Sequence, residues 1–192
     1  MSTNREFITV VSGLPRSGTS MMMQMVSAGG IEVLSDHIRK ADEDNTEGYY
    51  EFEPVKRTRD DGSWLPGAAG KAVKVIYMLL ADLPADFQYR VVFLRRNISE
   101  VLASQKVMLS RRGEQGADLS VDKLVGLFQR QLQQTEKWLS DQQHLQVLYV
   151  DYHQIVEDPM VQANRVSEFL GGLDTKAMAG VVDPALYRQR DA

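Results

Sequence analysis

The chain has 192 residues, 43% of them hydrophobic and 25% charged, which suits a globular domain with one sizeable core. A formal net charge of −4 argues against a broad basic face for nucleic acid, so functional cations must be local. The absence of cysteine excludes a disulfide framework and a thiolate zinc site.

The opening Met1-Ser2-Thr3-Asn4-Arg5-Glu6 carries no apolar signal-peptide core, and no run approaches membrane-spanning length. The expectation is a cytoplasmic protein without a membrane or nucleic-acid partner. The apolar, β-branched run Phe7–Val11 predicts a first strand, and Gly13 stops it. A short turn through Leu14-Pro15-Arg16-Ser17 leads to Gly18, Thr19 and Ser20 and into a Met-rich helix over Gly18–Ala28, closed by Gly29-Gly30. Strand, glycine-bracketed loop and helix N-terminus together offer backbone N–H groups and a positive dipole end, so an anion is the natural ligand. The spacing G-x-x-x-x-G is that of the nucleotide P-loop, but Thr19 stands where that motif has lysine, and the cation sits earlier at Arg16.

Ser35–Glu53 is polar and acidic and ends in Glu47-Gly48-Tyr49-Tyr50-Glu51-Phe52-Glu53. A second strand is predicted over Ala72–Ile76 and a third over Tyr89–Leu94. A helix follows over Asn97–Ser110, with Asn97 as N-cap and Glu100 at the third position of a capping box. After the charged loop Arg111–Leu119, the helix Ser120–Gln142 places Val121, Leu124, Val125, Phe128, Leu132 and Leu139 at helical spacing. A fourth strand is predicted over Leu145–Val150 and a last helix over Pro159–Leu170, with Gly171-Gly172 after its end. Strands alternating with helices predict an α/β, P-loop-type layered fold: a central parallel sheet of about four or five strands flanked by helices, forming one domain over 1–192. Ligands of such sheets bind at the carboxyl ends of the strands.

The third strand ends in Arg95-Arg96 at that edge. Ser104 lies two turns beyond Asn97 on the same helix face, so Arg96 and Ser104 can converge on one anion, for which an arginine fork is well shaped.

At these residues the chain resembles the sulfotransferase superfamily that uses phosphoadenosine phosphosulfate (PAPS). Pro15-Arg16-Ser17-Gly18-Thr19-Ser20 is similar to the family's first nucleotide element, P-[KR]-S-G-[ST]-[ST]. Arg96 and Ser104 match its second, an arginine with a serine eight residues later. Tyr149-Val150-Asp151-Tyr152, Glu157-Asp158-Pro159 and Glu168-Phe169-Leu170-Gly171 resemble its late strand and helix. The resemblance implies that the first loop holds the 5′-phosphosulfate and the second segment the 3′-phosphate of PAPS, with PAP as product. It implies that Lys74 stands near the sulfuryl group beside Arg16, and that the acceptor is a hydroxyl or amine of a small molecule. Many eukaryotic relatives carry lysine at the place of Arg16, and a histidine base where this chain has Ile76. Other branches use a glutamate from an acceptor loop, which here puts Glu51 first, then Glu53, with Asp36 and His37 behind. The family's C-terminal Arg-Lys-Gly element is absent, and Arg188 and Arg190 are the candidates to replace it.

Plainer roles compete at several positions. Met21, Met22, Met23 and Met25 suit helix packing, Arg95 a solvated strand end, Lys74 a snorkelling surface charge, and Trp64 and Trp138 core packing. Tyr49 and Tyr50 suit an acceptor wall or the core. Two other functions fit the same loop. A P-loop nucleoside or small-molecule kinase would draw on Asp151 as its strand-end carboxylate. A non-catalytic nucleotide-binding module would keep the cradle without a base.

Overall fold

The computed structural model describes residues 5–36, 38, 48–111, 113 and 119–183. Four parallel strands build its sheet: β1 (Ile8–Gly13), β2 (Ala72–Lys74), β3 (Tyr89–Arg95) and β4 (Leu145–Asp151), in the spatial order β2-β1-β3-β4. The helices are α1 (Thr19–Ala28), α2 (Ile98–Arg111), α3 (Val121–Ser140), α4 (Tyr152–Glu157), α5 (Pro159–Phe169) and α6 (Thr175–Gly180). Short 3-10 segments at Glu53–Arg57, Leu65–Gly67 and Tyr77–Asp82 complete the described elements. The sequence did not announce α4, α6 or these turns, because a one- or two-turn element leaves too few residues to show a period.

Strands β1, β2 and β3 are largely buried on both faces, which is why they read as nearly unbroken apolar runs, whereas β4 at the sheet edge is mostly half-buried. Alternation along them divides the core in two. Ile8, Val10, Val73, Tyr89, Val91 and Phe93 face one layer with Val101 and Leu139, and Phe128 and Leu132 pack against it from α3. Val11, Ala72, Val92, Leu94 and Val150 face the other, with Met22, Met23, Met25 and Val26 of α1 and Ala163, Val166 and Leu170 at α5. Met22, Met23 and Met25 of α1 are therefore core, with Met21 packed at its margin, their flexible thioethers filling the space between helix and sheet.

Helix entry follows the sequence signals. Asn97 Oδ1 accepts from the Ser99 N–H at 2.8 Å, and Asp158 Oδ1 from Val161 N–H at 3.1 Å. Strand β2 stops at Lys74, two residues short of the predicted end, and Ile76 is the cap from which the Tyr77–Asp82 turn begins.

The strand order places the site. From β1 the chain passes to β2 on one side, and from β2 it crosses over β1 to β3 on the other. Strands β1 and β3 are hydrogen-bonded neighbours whose following segments leave in opposite directions, so a crevice opens beyond their carboxyl ends. The Gly13–Gly18 loop and the Arg96-Asn97 turn stand at that crevice.

Candidate functional site

The loop after β1 folds as a tight turn. Ser17 N–H donates to the Leu14 carbonyl at 3.1 Å, Pro15 takes the second position, and Arg16 takes the third with φ 71°. Proline followed by a left-handed residue is the pattern of a type II turn. A non-glycine residue there is strained by about 1–2 kcal/mol, a cost that persists where neighbours fix it.

Arg16 has such neighbours. Its Nε–H donates to Ser104 Oγ of α2 at 3.0 Å, and its carbonyl accepts from Arg96 Nη1 at 3.1 Å. The sequence assigned Arg16 to the first cluster and Arg96 with Ser104 to the second; the structure makes Arg16 the bridge between them. Ser104 is 7% exposed.

Two glycines permit the close approach. A Cβ at Gly13 (φ 147°) would lie 2.6 Å from Ser17 Oγ and 2.7 Å from the Leu94 carbonyl. A Cβ at Gly18 (φ 95°) would lie 2.3 Å from Tyr152 Cδ2. Gly18 is also the left-handed cap from which α1 begins, with Met22 N–H donating to its carbonyl at 3.1 Å. Thr19 opens the helix, largely buried, and the Ser17 hydroxyl is enclosed with no hydrogen-bond partner. A loop closed by glycine backbone, with a helix N-terminus and an enclosed hydroxyl, fits a phosphate-like group.

Tyr152, which the sequence singles out only as the end of the late-strand resemblance, packs against both halves of the site. It follows β4, is 6% exposed, and supports the Arg96 guanidinium at 4.4 Å over its ring, a cation–π contact. Burial pushes its phenol above the ordinary tyrosine value, with Arg96 and Arg16 pulling the other way. Glu100 is the second addition. Its Oε2 accepts from Arg96 Nε at 2.8 Å, with both side chains only 8% exposed. An acid four residues after an arginine at a helix start reads equally well as a cap, so spacing could not single out this pair.

Lys74 is held rather than snorkelling. Its Nζ donates to Ser20 Oγ at 3.2 Å and to the Tyr49 carbonyl at 2.8 Å, tying β2 to the first turn of α1 and to the 48–53 segment. That segment is held from its other side as well. The Glu51 carbonyl accepts from Asp36 N–H at 3.1 Å and from Ser35 Oγ at 3.2 Å. Asp36 spends its carboxylate on the N–H groups of Ile38 at 3.0 Å and Glu53 at 2.6 Å, the work of a clamp. Glu53 pairs with Lys56 on the surface. Glu51 lies two residues beyond Tyr49, whose carbonyl Lys74 holds. Tyr49 is buried, and Tyr50 packs against the α1 side of the core.

Arg95 is exposed at the end of β3, as the sequence suggests, but it is paired there. It makes a bidentate pair with Glu136 of α3 at 2.9 and 2.8 Å and stacks on the Tyr149 ring at 4.0 Å. Arg188, Arg190 and His37 lie outside the described residues. Among the described residues no cluster of three or more His, Cys, Asp or Glu side chains is placed to hold a metal ion, and no helix is long and apolar enough to cross a membrane.

Solved sulfotransferase structures share this fold. The sulfotransferase domain of the Synechococcus PCC 7002 olefin synthase aligns with a TM-score of 0.54 at 14% identity, over 100% of this chain and 92% of that one. The sulfotransferase domain from the curacin biosynthetic pathway aligns at 0.58 and 15%, over 94% and 79%. A sulfotransferase from Alicyclobacillus acidocaldarius aligns at 0.50 and 16%, over 94% and 87%. No curated protein sequence matches the chain. The sulfotransferase domain family model matches residues 8–184, nearly the whole sheet-and-helix framework and both halves of the site, and the chain belongs to that family.

Proposed function

We propose that residues 1–192 form one sulfotransferase domain that moves a sulfuryl group from PAPS to a hydroxyl or amine of a small-molecule acceptor. The observation that carries this reading is the joining of two distant segments at the β1–β3 crevice: Arg16 Nε to Ser104 Oγ at 3.0 Å and Arg96 Nη1 to the Arg16 carbonyl at 3.1 Å. One ligand with two phosphate groups suits two linked donor clusters.

In this reading Pro15, Ser17, Gly18, Thr19 and Ser20 wrap the 5′-phosphosulfate, while Arg96 and Ser104 take the 3′-phosphate with help from Arg188 and Arg190. The acceptor oxygen or nitrogen attacks sulfur as the bond from sulfur to the 5′-phosphate oxygen breaks. Negative charge then builds on the departing PAP, so preorganised cations and N–H groups lower the barrier more than covalent chemistry does. Arg16 and Lys74 supply that charge, and Glu51 accepts the proton that the acceptor loses.

PAP without magnesium should stabilise the protein. Saturation at about a hundred times Kd adds roughly 2.7 kcal/mol, or about 5–10 °C for a chain of this size. Arg96→Ala should weaken PAP by about tenfold or more, the loss of a charged hydrogen-bonded contact. Transfer of labelled sulfate from PAPS to a panel of hydroxyl and amine acceptors completes the test. Stabilisation by ATP with magnesium alone would point to a kinase. PAP binding with no transfer to any acceptor would point to a non-catalytic module.

A further inference from the structure

A buried carboxylate is an odd neighbour for an anion site. Glu100 is 7% exposed and forms its ion pair with Arg96 where both charges are largely withdrawn from water. Desolvating two charges is costly, and the attraction between them offsets that cost only when the geometry is good. We infer that Glu100 is a positioning residue: it holds the Arg96 fork in the orientation that receives the 3′-phosphate. The inference rests on the assignment of Arg96 to that phosphate in the proposed function.

Three elements hold the guanidinium. Glu100 of α2 takes Nε at 2.8 Å, the Arg16 carbonyl of the loop takes Nη1 at 3.1 Å, and the Tyr152 ring lies under its plane at 4.4 Å. A planar group resting on a ring and anchored at both Nε and Nη1 is hindered from turning within its plane, and loss of the Nε anchor weakens that hold. An arginine ordered in advance does not lose its rotamer freedom when the nucleotide arrives, and for one long side chain that difference is about three- to tenfold in affinity. The negative charge of Glu100 works in the opposite sense, repelling the phosphate. Geometry and charge therefore predict different outcomes for two conservative variants.

Glu100→Gln keeps an oxygen at the same reach and removes the charge. Glu100→Asp keeps the charge and withdraws the oxygen by one carbon–carbon bond, about 1.5 Å. Titration calorimetry on the folded full chain is expected to give a PAP Kd within about twofold of wild type for Glu100→Gln, and about three- to tenfold weaker for Glu100→Asp. Adenosine 5′-phosphate, which lacks the 3′-phosphate, should bind both variants like wild type. Combined with Arg96→Ala, Glu100→Asp should add no further loss, since the group it positions is gone.

The reverse pattern, with Glu100→Gln altered and Glu100→Asp normal, would assign the residue a charge effect and overturn the positioning role. Equal losses for both nucleotides, a further loss in the Arg96→Ala background, or a wild-type PAP Kd in both variants would overturn it too. The Arg96→Ala control separates the two levels: wild-type PAP binding there defeats the proposed function itself, whereas weakened binding beside an unaffected Glu100→Asp defeats only the inference about Glu100.

Discussion

Adding a single methyl group at Gly18 tests whether the loop and the Tyr152 ring form one packed unit. In Gly18→Ala the new Cβ falls 2.3 Å from Tyr152 Cδ2 and 2.9 Å from Cε2. Ordinary carbon contacts lie at about 3.5–4.0 Å, so the ring or the loop must retreat by more than about 1 Å. Tyr152 is 6% exposed and has little room to do so, and overpacking of this kind costs about 1–3 kcal/mol. The left-handed backbone at Gly18, φ 95°, adds about 1–2 kcal/mol for any L side chain. The total, roughly 2–5 kcal/mol, corresponds to a fall in Tm of about 5–15 °C. Because the same ring lies under Arg96, PAP affinity should fall with it. Differential scanning fluorimetry and PAP titration measure the two effects. In a Tyr152→Ala background the steric part disappears, and Gly18→Ala should then cost only the backbone strain. A Gly18→Ala protein with wild-type Tm and PAP Kd, or one whose penalty is undiminished without the ring, would refute the packing argument.

Two other outcomes are expected. Glu51→Gln should lower kcat by about a hundredfold or more, the usual scale of a positioned general base, while leaving the PAP Kd unchanged; unaltered turnover would move the base to another residue. Alkaline pH should destabilise the fold through Tyr77, Tyr89 and Tyr152, whose phenols burial holds above the ordinary value of 10.0. The unfolded chain releases these protons near pH 10 and the folded chain later, so stability is full below about pH 10 and falls as pH rises beyond it. Phenolate absorbance that rises well before the loss of circular dichroism would contradict that link.

The strands were legible because apolar layers pack on both faces of the sheet, which leaves runs such as Tyr89–Leu94 almost free of polar residues. Their spatial order was not, since no local pattern says that β1 lies between β2 and β3. Arg16, Arg96 and Ser104 could be found because loop and helix spacing carry their own geometry. Tyr152 could not be tied to Gly18 and Arg96 from sequence, as only the completed sheet brings the end of β4 beside them. The clamp of Asp36 on the Glu53 N–H escaped for a related reason: it joins two irregular stretches in which spacing predicts no shared face. The carboxylate of Asp36 accepts from the backbone N–H groups of Ile38 and Glu53.

The order of strands also bears on how the chain is made. Synthesis delivers β1 first, yet Thr9 must wait for Ala72 and Ile8 for Tyr89 before the ladder closes on either side. Such long-range pairing slows folding and leaves an apolar, strand-forming segment unshielded while the ribosome works. Every group that braces the Arg16 turn, from Arg96 to Ser104 to Tyr152, emerges later still. A nascent chain released short of β3 would therefore carry the loop without its scaffold, as a client for chaperones with its apolar first strand unpaired on the β3 side.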